Sequence, residues 1–221
     1  MPKVDPYIYP GTYVLINKFG FRYQSDLDKA ESDFTVLKLA EMSENPLPGD
    51  YGLAHLCDMH RYVFNDLYSW AGELRTIDIE KPEPALAGLS VEYGKHNSLE
   101  RELASVLAEM QDSDWSALDL NEKVELFADQ IAKLWKIHPF REGNTRIITH
   151  FYCQYYDSRS LRINRKLFEQ NAKFFRTALV AANAVFVDIG DKSDRNHLHR
   201  IVKDAISSGE GDLPLEKNAN G

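Results

Sequence analysis

Hydrophobic and polar positions along this chain recur at helical spacing over most of its length. Segment 26–42 places Leu27, Phe34, Leu37 and Ala40 near one face, and Pro46 to Gly49 closes it. Segment 50–69 repeats the pattern with Leu53, Leu56, His60, Val63, Phe64 and Leu67 behind Asp50 as a cap. Segment 97–112 opens on Asn97 or Ser98 and carries Leu99, Leu103, Val106, Leu107 and Met110. From Asp119, the positions Leu120, Val124, Phe127, Ile131, Leu134 and Trp135 predict a long amphipathic helix. It ends just before His138-Pro139, because a residue preceding proline is pushed out of helical geometry. The next helix, about 144–157, is apolar enough to be central through Ile147, Ile148, Phe151, Tyr152 and Tyr155. Two more are predicted at about 165–182 and 194–207, which makes seven helices with short links and an all-α, bundle-like domain.

The clear interruption lies between Trp70 and Lys95. It alternates through Leu74, Thr76 and the pair Ile77 and Ile79, then meets Pro82, Pro84 and Gly88, and this predicts a small β-hairpin over about 72–93. The last stretch, 209–221, is polar and punctuated by Gly and Pro, so it reads as a linker or chain end beyond a domain of residues 1–208. A chain of 221 residues with 43% hydrophobic content can bury a substantial core. Its net charge of -8 and pI near 5.4 argue against a nucleic-acid or anionic-membrane binder, which needs clustered basic surface. Cys57 and Cys153 show no metal-site spacing and predict free thiols in a cytoplasmic chain. No run of ~18 apolar residues and no signal-peptide core is visible.

The chemistry concentrates in HPFREGNTR, His138 to Arg146. His138 is the one group in it that titrates near neutral pH. Glu142 is a hard oxygen ligand of the kind that holds magnesium through one carboxylate plus substrate phosphates. Gly143 permits a tight approach of main-chain N–H groups to an anion, and Asn144 and Thr145 are natural caps for the helix that follows. That helix start would turn free N–H groups toward phosphates, with Arg146 offering a planar fork. The remaining histidines fit no site: His197 and His199 are splayed apart on a helix, and His55, His60, His96 and His150 have no evident partner. Tyr152, Tyr155 and Tyr156 could border an adenine pocket, although tyrosines at helical spacing are more often core.

This stretch resembles the signature of the Fic family, HxFx[DE]GNGRxxR, protein-modifying enzymes that usually move AMP from ATP to a hydroxyl of another protein. His138, Phe140, Glu142, Gly143, Asn144 and Arg146 fall on its defined positions. Thr145 stands where the family usually has its second glycine, and Thr149 where it has its second arginine. The opening YPGTYVLINKFGFRYQSDLDKAESDF is also similar to the N-terminal segment of Fic proteins, and the likeness covers about 10–205.

The resemblance implies a Fic-type helical bundle whose hairpin, the flap, lies over the active-site loop 138–146. It makes His138 the general base, Glu142 the Mg2+ ligand, and Gly143, Asn144, Thr145, Arg146 and Lys81 the ATP-binding set. Phe140 is expected to point into the core, and Arg141 toward solvent or the target. The flap would align a target protein by strand addition, with Glu80, Lys81, Glu83 and the residues to Tyr93 as a selectivity loop. A host small GTPase met by a secreted effector and a type II topoisomerase met by a toxin both fit as targets. In death-on-curing toxins a bulkier residue at the Thr145 position accompanies phosphoryl transfer; threonine is small, which favours AMP transfer. A target-binding module with little catalysis is the further alternative, to which Thr149 lends weight. Family members are often silenced by a glutamate in [S/T]xxxE[G/N]. Here Glu44-Asn45 and Glu210-Gly211 lack the Ser or Thr, so a small helical antitoxin acting in trans is expected.

Overall fold

The computed structural model describes residues 5–211, with side chains as far as 209. Helices follow one another as α1 (Gln24–Glu44), α2 (Leu53–Phe64), α3 (Leu99–Gln111), α4 (Leu120–Ile137), α5 (Asn144–Ser158), α6 (Arg165–Gln170), α7 (Ala172–Ala182) and α8 (Asn196–Gly211). The expected all-helical domain is therefore present. Its elements start where the residue chemistry directs: Asp119 accepts from the Glu122 N–H, and Glu122 reaches back to the Asp119 N–H, a reciprocal cap that opens α4. Helix α2 is shorter than its apolar pattern, because Asn65 to Tyr68 leave the helix in tight turns.

The predicted helix over 165–182 divides in two at Asn171. That side chain donates to the Leu167 carbonyl at 2.8 Å and its backbone stands at φ -114°, ψ 31°, outside helical geometry. A short amide competing for the preceding turn's carbonyl is the usual way asparagine breaks a helix. The described residues thus hold eight α-helices where seven were expected.

Helix α4 is the axis of the bundle, packed against α3, α5, α7 and α8. Phe127, Ile131, Leu134 and Trp135 on it are fully buried, as are Ile147, Ile148, Phe151, Tyr152, Tyr155 and Tyr156 on α5. Each such side chain contributes roughly 1.5–3 kcal/mol of burial free energy. The α5 tyrosines are core: Tyr152 bonds to Gln130 and Tyr155 to the Met110 carbonyl. No helix among the described residues is long and apolar enough to cross a membrane.

The small antiparallel hairpin exists, but elsewhere than the sequence pattern placed it. β1 (Val185–Phe186) pairs with β2 (Gly190–Asp191), with Val185 opposite Asp191 and Phe186 opposite Gly190. Residues 72–93 instead form extended chain with one 3-10 turn, Pro84–Leu86, closed by the Glu83 N–H on the Leu89 carbonyl at 3.0 Å. Pro82 and Pro84 have no N–H to give a ladder. The first arm is also drawn toward α4, where the Arg75 N–H bonds the Pro139 carbonyl at 2.9 Å. Of the polar stretch 209–221, residues 209–211 continue α8, and 212–221 lie outside the described residues.

Candidate active site

The loop between α4 and α5 holds His138 as a neutral ring. His138 terminates α4 in a left-handed conformation, φ 51° and ψ 59°, and its N–H bonds the Trp135 carbonyl at 3.1 Å. Its Nδ1 lies 3.3 Å from that same carbonyl. A carbonyl oxygen only accepts, so Nδ1 carries the proton and Nε2 keeps a free lone pair. The ring packs against Tyr93 at 4.2 Å and Trp135 at 5.1 Å between centroids. Burial, and next to it the Lys81 charge, hold its pKa well below the ordinary histidine value.

The rest of the loop is built from the backbone outward. Asn144 braces it from within: Oδ1 accepts the Phe140 N–H at 2.8 Å and Nδ2 donates to the Phe140 carbonyl at 2.7 Å. Phe140 is fully buried and stacks on His60 at 3.9 Å. The residue that caps α5 is Gly143, not Asn144 or Thr145 as the composition suggested; its φ of 79° is a conformation glycine adopts without strain. Asn144 spends its side chain on Phe140, and Thr145 Oγ1 accepts from Trp135 Nε1 at 2.9 Å. With no side-chain cap, the first-turn N–H groups of Asn144, Thr145 and Arg146 are left for an anion. A Cβ on Gly143 would lie 2.3 Å from the Phe64 ring. Gly143→Ala is therefore expected to cost roughly 1–3 kcal/mol of stability, read as a lower urea midpoint.

Charge in the site is densely paired. Glu142 Oε1 accepts the Gly143 N–H at 2.9 Å, and Oε2 meets Lys81 Nζ at 3.1 Å. Burial alone would raise this carboxyl, but Lys81, the Gly143 N–H and Arg146 outweigh it and hold its pKa down to about 2. Arg146 lies 4.0 Å from Glu142, donates to Thr35 Oγ1 at 3.1 Å, and is ion-paired with Glu31 of α1. Thr149 turns its hydroxyl back to the Thr145 carbonyl at 2.6 Å. His138, Glu142 and Arg146 share one cleft of roughly 380 Å3 with Lys81 of the 72–93 segment and Lys173 and Arg176 of α7.

Several of these residues were invisible to the pattern. His60 had no partner in sequence, yet its Nδ1 accepts the Gly72 N–H at 2.8 Å and its Nε2 lies 3.1 Å from the Glu142 carbonyl, to which it must donate. Burial lowers its pKa to about 4, so it is a neutral brace between the two loops. Arg75 is wholly buried and donates to His138, Ile77, Ile137 and Gly94 carbonyls. Arg176 forms a two-pronged pair with Glu83 at 2.7 and 2.8 Å. Arg141, expected to face solvent or a target, is instead bound to Asp5 at 2.8 Å. His55 bonds the Tyr51 N–H, His96 bonds Asp78, and His150 lies 3.5 Å from the Ser43 hydroxyl. Only partner geometry, absent from a linear pattern, could have revealed these.

Fold and loop together define a helical domain in which a neutral histidine, an ionised carboxylate and a bare helix start line one cleft. Residues 50–156 match the Fic/DOC family. The probable protein adenylyltransferase y4lH of Sinorhizobium fredii is 37% identical over 147 residues, 64% of this chain and 70% of that protein. The chain belongs to the Fic/DOC family. The protein adenylyltransferase VbhT of Bartonella schoenbuchensis is 33% identical over 68% of this chain, which spans only 30% of that longer protein. The probable protein adenylyltransferase Fic of Salmonella typhimurium is 30% identical, and the chain covers 66% of it. Among solved structures, BepC of Bartonella tribocorum with bound AMPPNP superposes with a TM-score of 0.72 at 20% identity, covering 90% of this chain and 95% of that one. That likeness shows the shared fold.

Proposed function

We propose that this chain transfers AMP from ATP to a hydroxyl side chain of a protein. The observation that carries the reading is the single cleft lined by His138, Glu142 and the uncapped start of α5. His138 takes the proton of the attacking hydroxyl as that oxygen bonds the α-phosphorus and pyrophosphate departs. Its neutral state and free Nε2 suit a general base. The α5 N–H groups and Arg146 hold phosphate oxygens and stabilise their developing charge. Glu142 suits Mg2+: it is one ionised, half-buried carboxylate beside a phosphate site, the arrangement that hard cation uses with substrate oxygens. Bound there, the ion would neutralise phosphate charge, and Lys81 would exchange Glu142 for a phosphate oxygen.

The Thr145 side chain is small and its hydroxyl accepts from Trp135 Nε1, which favours AMP transfer over phosphoryl transfer. The curated relatives named as adenylyltransferases support the same choice. The target would dock along residues 72–93, whose extended backbone suits strand addition. Regulation in trans by a small helical antitoxin remains our reading: Glu31, which pairs with Arg146, lies in no [S/T]xxxE[G/N] string, and the Glu210 side chain lies outside the described residues. The test is incubation with magnesium, a cell lysate and ATP labelled at the α- or the γ-phosphate. Label on protein from the α position alone is expected; label from γ alone would make the chain a kinase.

A further inference from the structure

We infer that Tyr93 is a positioning residue for His138: its ring, placed by the 72–93 segment, fixes the tilt of the imidazole. The inference rests on the transfer reading above, in which His138 is the base, and adds what aims its lone pair. Tyr93 closes the stretch expected to select a target, yet only 6% of it is exposed, so it faces the interior. There its ring lies against His138 at 4.2 Å between centroids, with the planes 33° apart. Trp135 meets the same imidazole edge-on at 5.1 Å and 85°, and meets Tyr93 at 5.7 Å and 65°. The imidazole needs that support. The side-chain hydrogen bond that holds it, from Nδ1 to the Trp135 carbonyl, is long at 3.3 Å. A bond at one ring atom fixes a point, and the plane can still swing about it. Tyr93 removes that freedom by covering a face of the ring. A swing would carry Nε2, on the far side of the ring, away from an incoming hydroxyl.

Tyr93 is itself held at both ends. On the backbone side, the Gly94 N–H bonds the Lys136 carbonyl at 3.2 Å, and the Gly94 carbonyl accepts from Arg75. A Cβ on Gly94 would lie 3.1 Å from the Ile137 carbonyl oxygen, so the chain runs close against the end of α4. At the other end the Tyr93 hydroxyl is enclosed and makes no hydrogen bond of ordinary geometry among the described residues. Burial first, and the Glu83 charge after it, keep the proton on that oxygen. An O–H dipole is thus drawn toward a carboxylate. Glu83 is fixed in its turn by the two-pronged pair with Arg176 of α7. Support therefore runs from α7 through the turn at Pro84–Leu86 to the imidazole, which gives the Glu83–Arg176 pair a task that needs no contact with a ligand.

Two measurements on the full chain test this. Histidine-selective NMR, with the His138 signals assigned by their loss in His138→Ala, reads the tautomer and order of the ring without substrate. Single-turnover transfer at saturating ATP, beside direct ATP titration, reads rate and affinity separately. Wild type is expected to show one His138 state, protonated at Nδ1. Tyr93→Leu should mix the tautomers or broaden the signals, and slow transfer about ten- to a hundredfold with ATP affinity within about twofold. Tyr93→Phe keeps the ring, and should keep the single state and at least about a third of the rate. Glu83→Gln keeps the shape without the charge and should show the same change in smaller measure; it carries the test if the leucine variant does not fold. An unchanged His138 signal and rate in Tyr93→Leu or in Glu83→Gln would overturn the inference. So would a loss in Tyr93→Phe as large as in Tyr93→Leu, or a loss of ATP affinity in step with the rate. A His138 spectrum that responds as expected, with no α-label transferred by wild type, would leave the positioning role standing and remove the transfer reading instead.

Discussion

His138→Ala is expected to slow AMP transfer by about 10²- to 10⁴-fold while ATP affinity stays within a few-fold of wild type. The separation follows from position. In the proposed reaction phosphate contacts come from the α5 N–H groups and the surrounding cations, whereas His138 would supply a lone pair to the incoming hydroxyl. Single-turnover transfer at saturating ATP reads the first quantity and direct titration the second; equal loss of both would make His138 a structural residue. The pH profile gives an independent check. The active form is the neutral ring, and its pKa lies well below 6.5 because the ring is buried and next to Lys81. Lowering pH removes activity only once it reaches that depressed pKa. The rate should therefore hold level from pH 8 through 6.5 and fall only in more acid solution. A midpoint at or above 6.5 would contradict the buried, cation-flanked setting.

The sequence exposed the fold class because amphipathic spacing survives without knowledge of partners. The stripes of α3 and α4 are dense enough to place both helices within about a residue or two. It misjudged elements whose geometry is set from a distance. The alternation at Leu74 to Ile79 is real, but it reports a chain pinned to the end of α4 by Arg75 rather than one strand of a pair. Asn171 splits a helix through a side-chain bond that propensity treats as a small penalty. The loop residues His138, Glu142 and Gly143 were legible because their chemistry and spacing are local. Its supports were not. His60 joins Gly72 to Glu142 across 82 positions, and Glu31 reaches Arg146 across 115, so nothing in the string links them. Asn144 shows the intermediate case: its position was right for a helix start, yet the amide braces Phe140 instead of capping.

Arg75→Met is expected to cost roughly 3–5 kcal/mol of stability, the largest loss for a single residue outside the hydrophobic core. The guanidinium is fully enclosed and donates to the His138 carbonyl at 2.8 Å, Ile77 at 2.6 Å and Ile137 at 3.3 Å, with Gly94 as a further acceptor. The Ile137 and His138 carbonyls belong to the end of α4, where the helix dipole is negative and no further turn donates N–H groups to them. The charge is retained in spite of burial because four carbonyl dipoles and Asp78, 3.9 Å away, face it. Methionine fills much of the volume but donates nothing, so the buried contacts to the His138 and Ile137 carbonyls are lost without replacement. Lysine keeps the charge and loses the planar fork, which places Arg75→Lys between the two. Because the same bonds orient the His138 peptide, residual folded Arg75→Met should transfer AMP more slowly at unchanged ATP affinity. Urea denaturation decides the first claim: an unshifted midpoint would mean that the staple is dispensable, and α4 would need another account of how its end is satisfied.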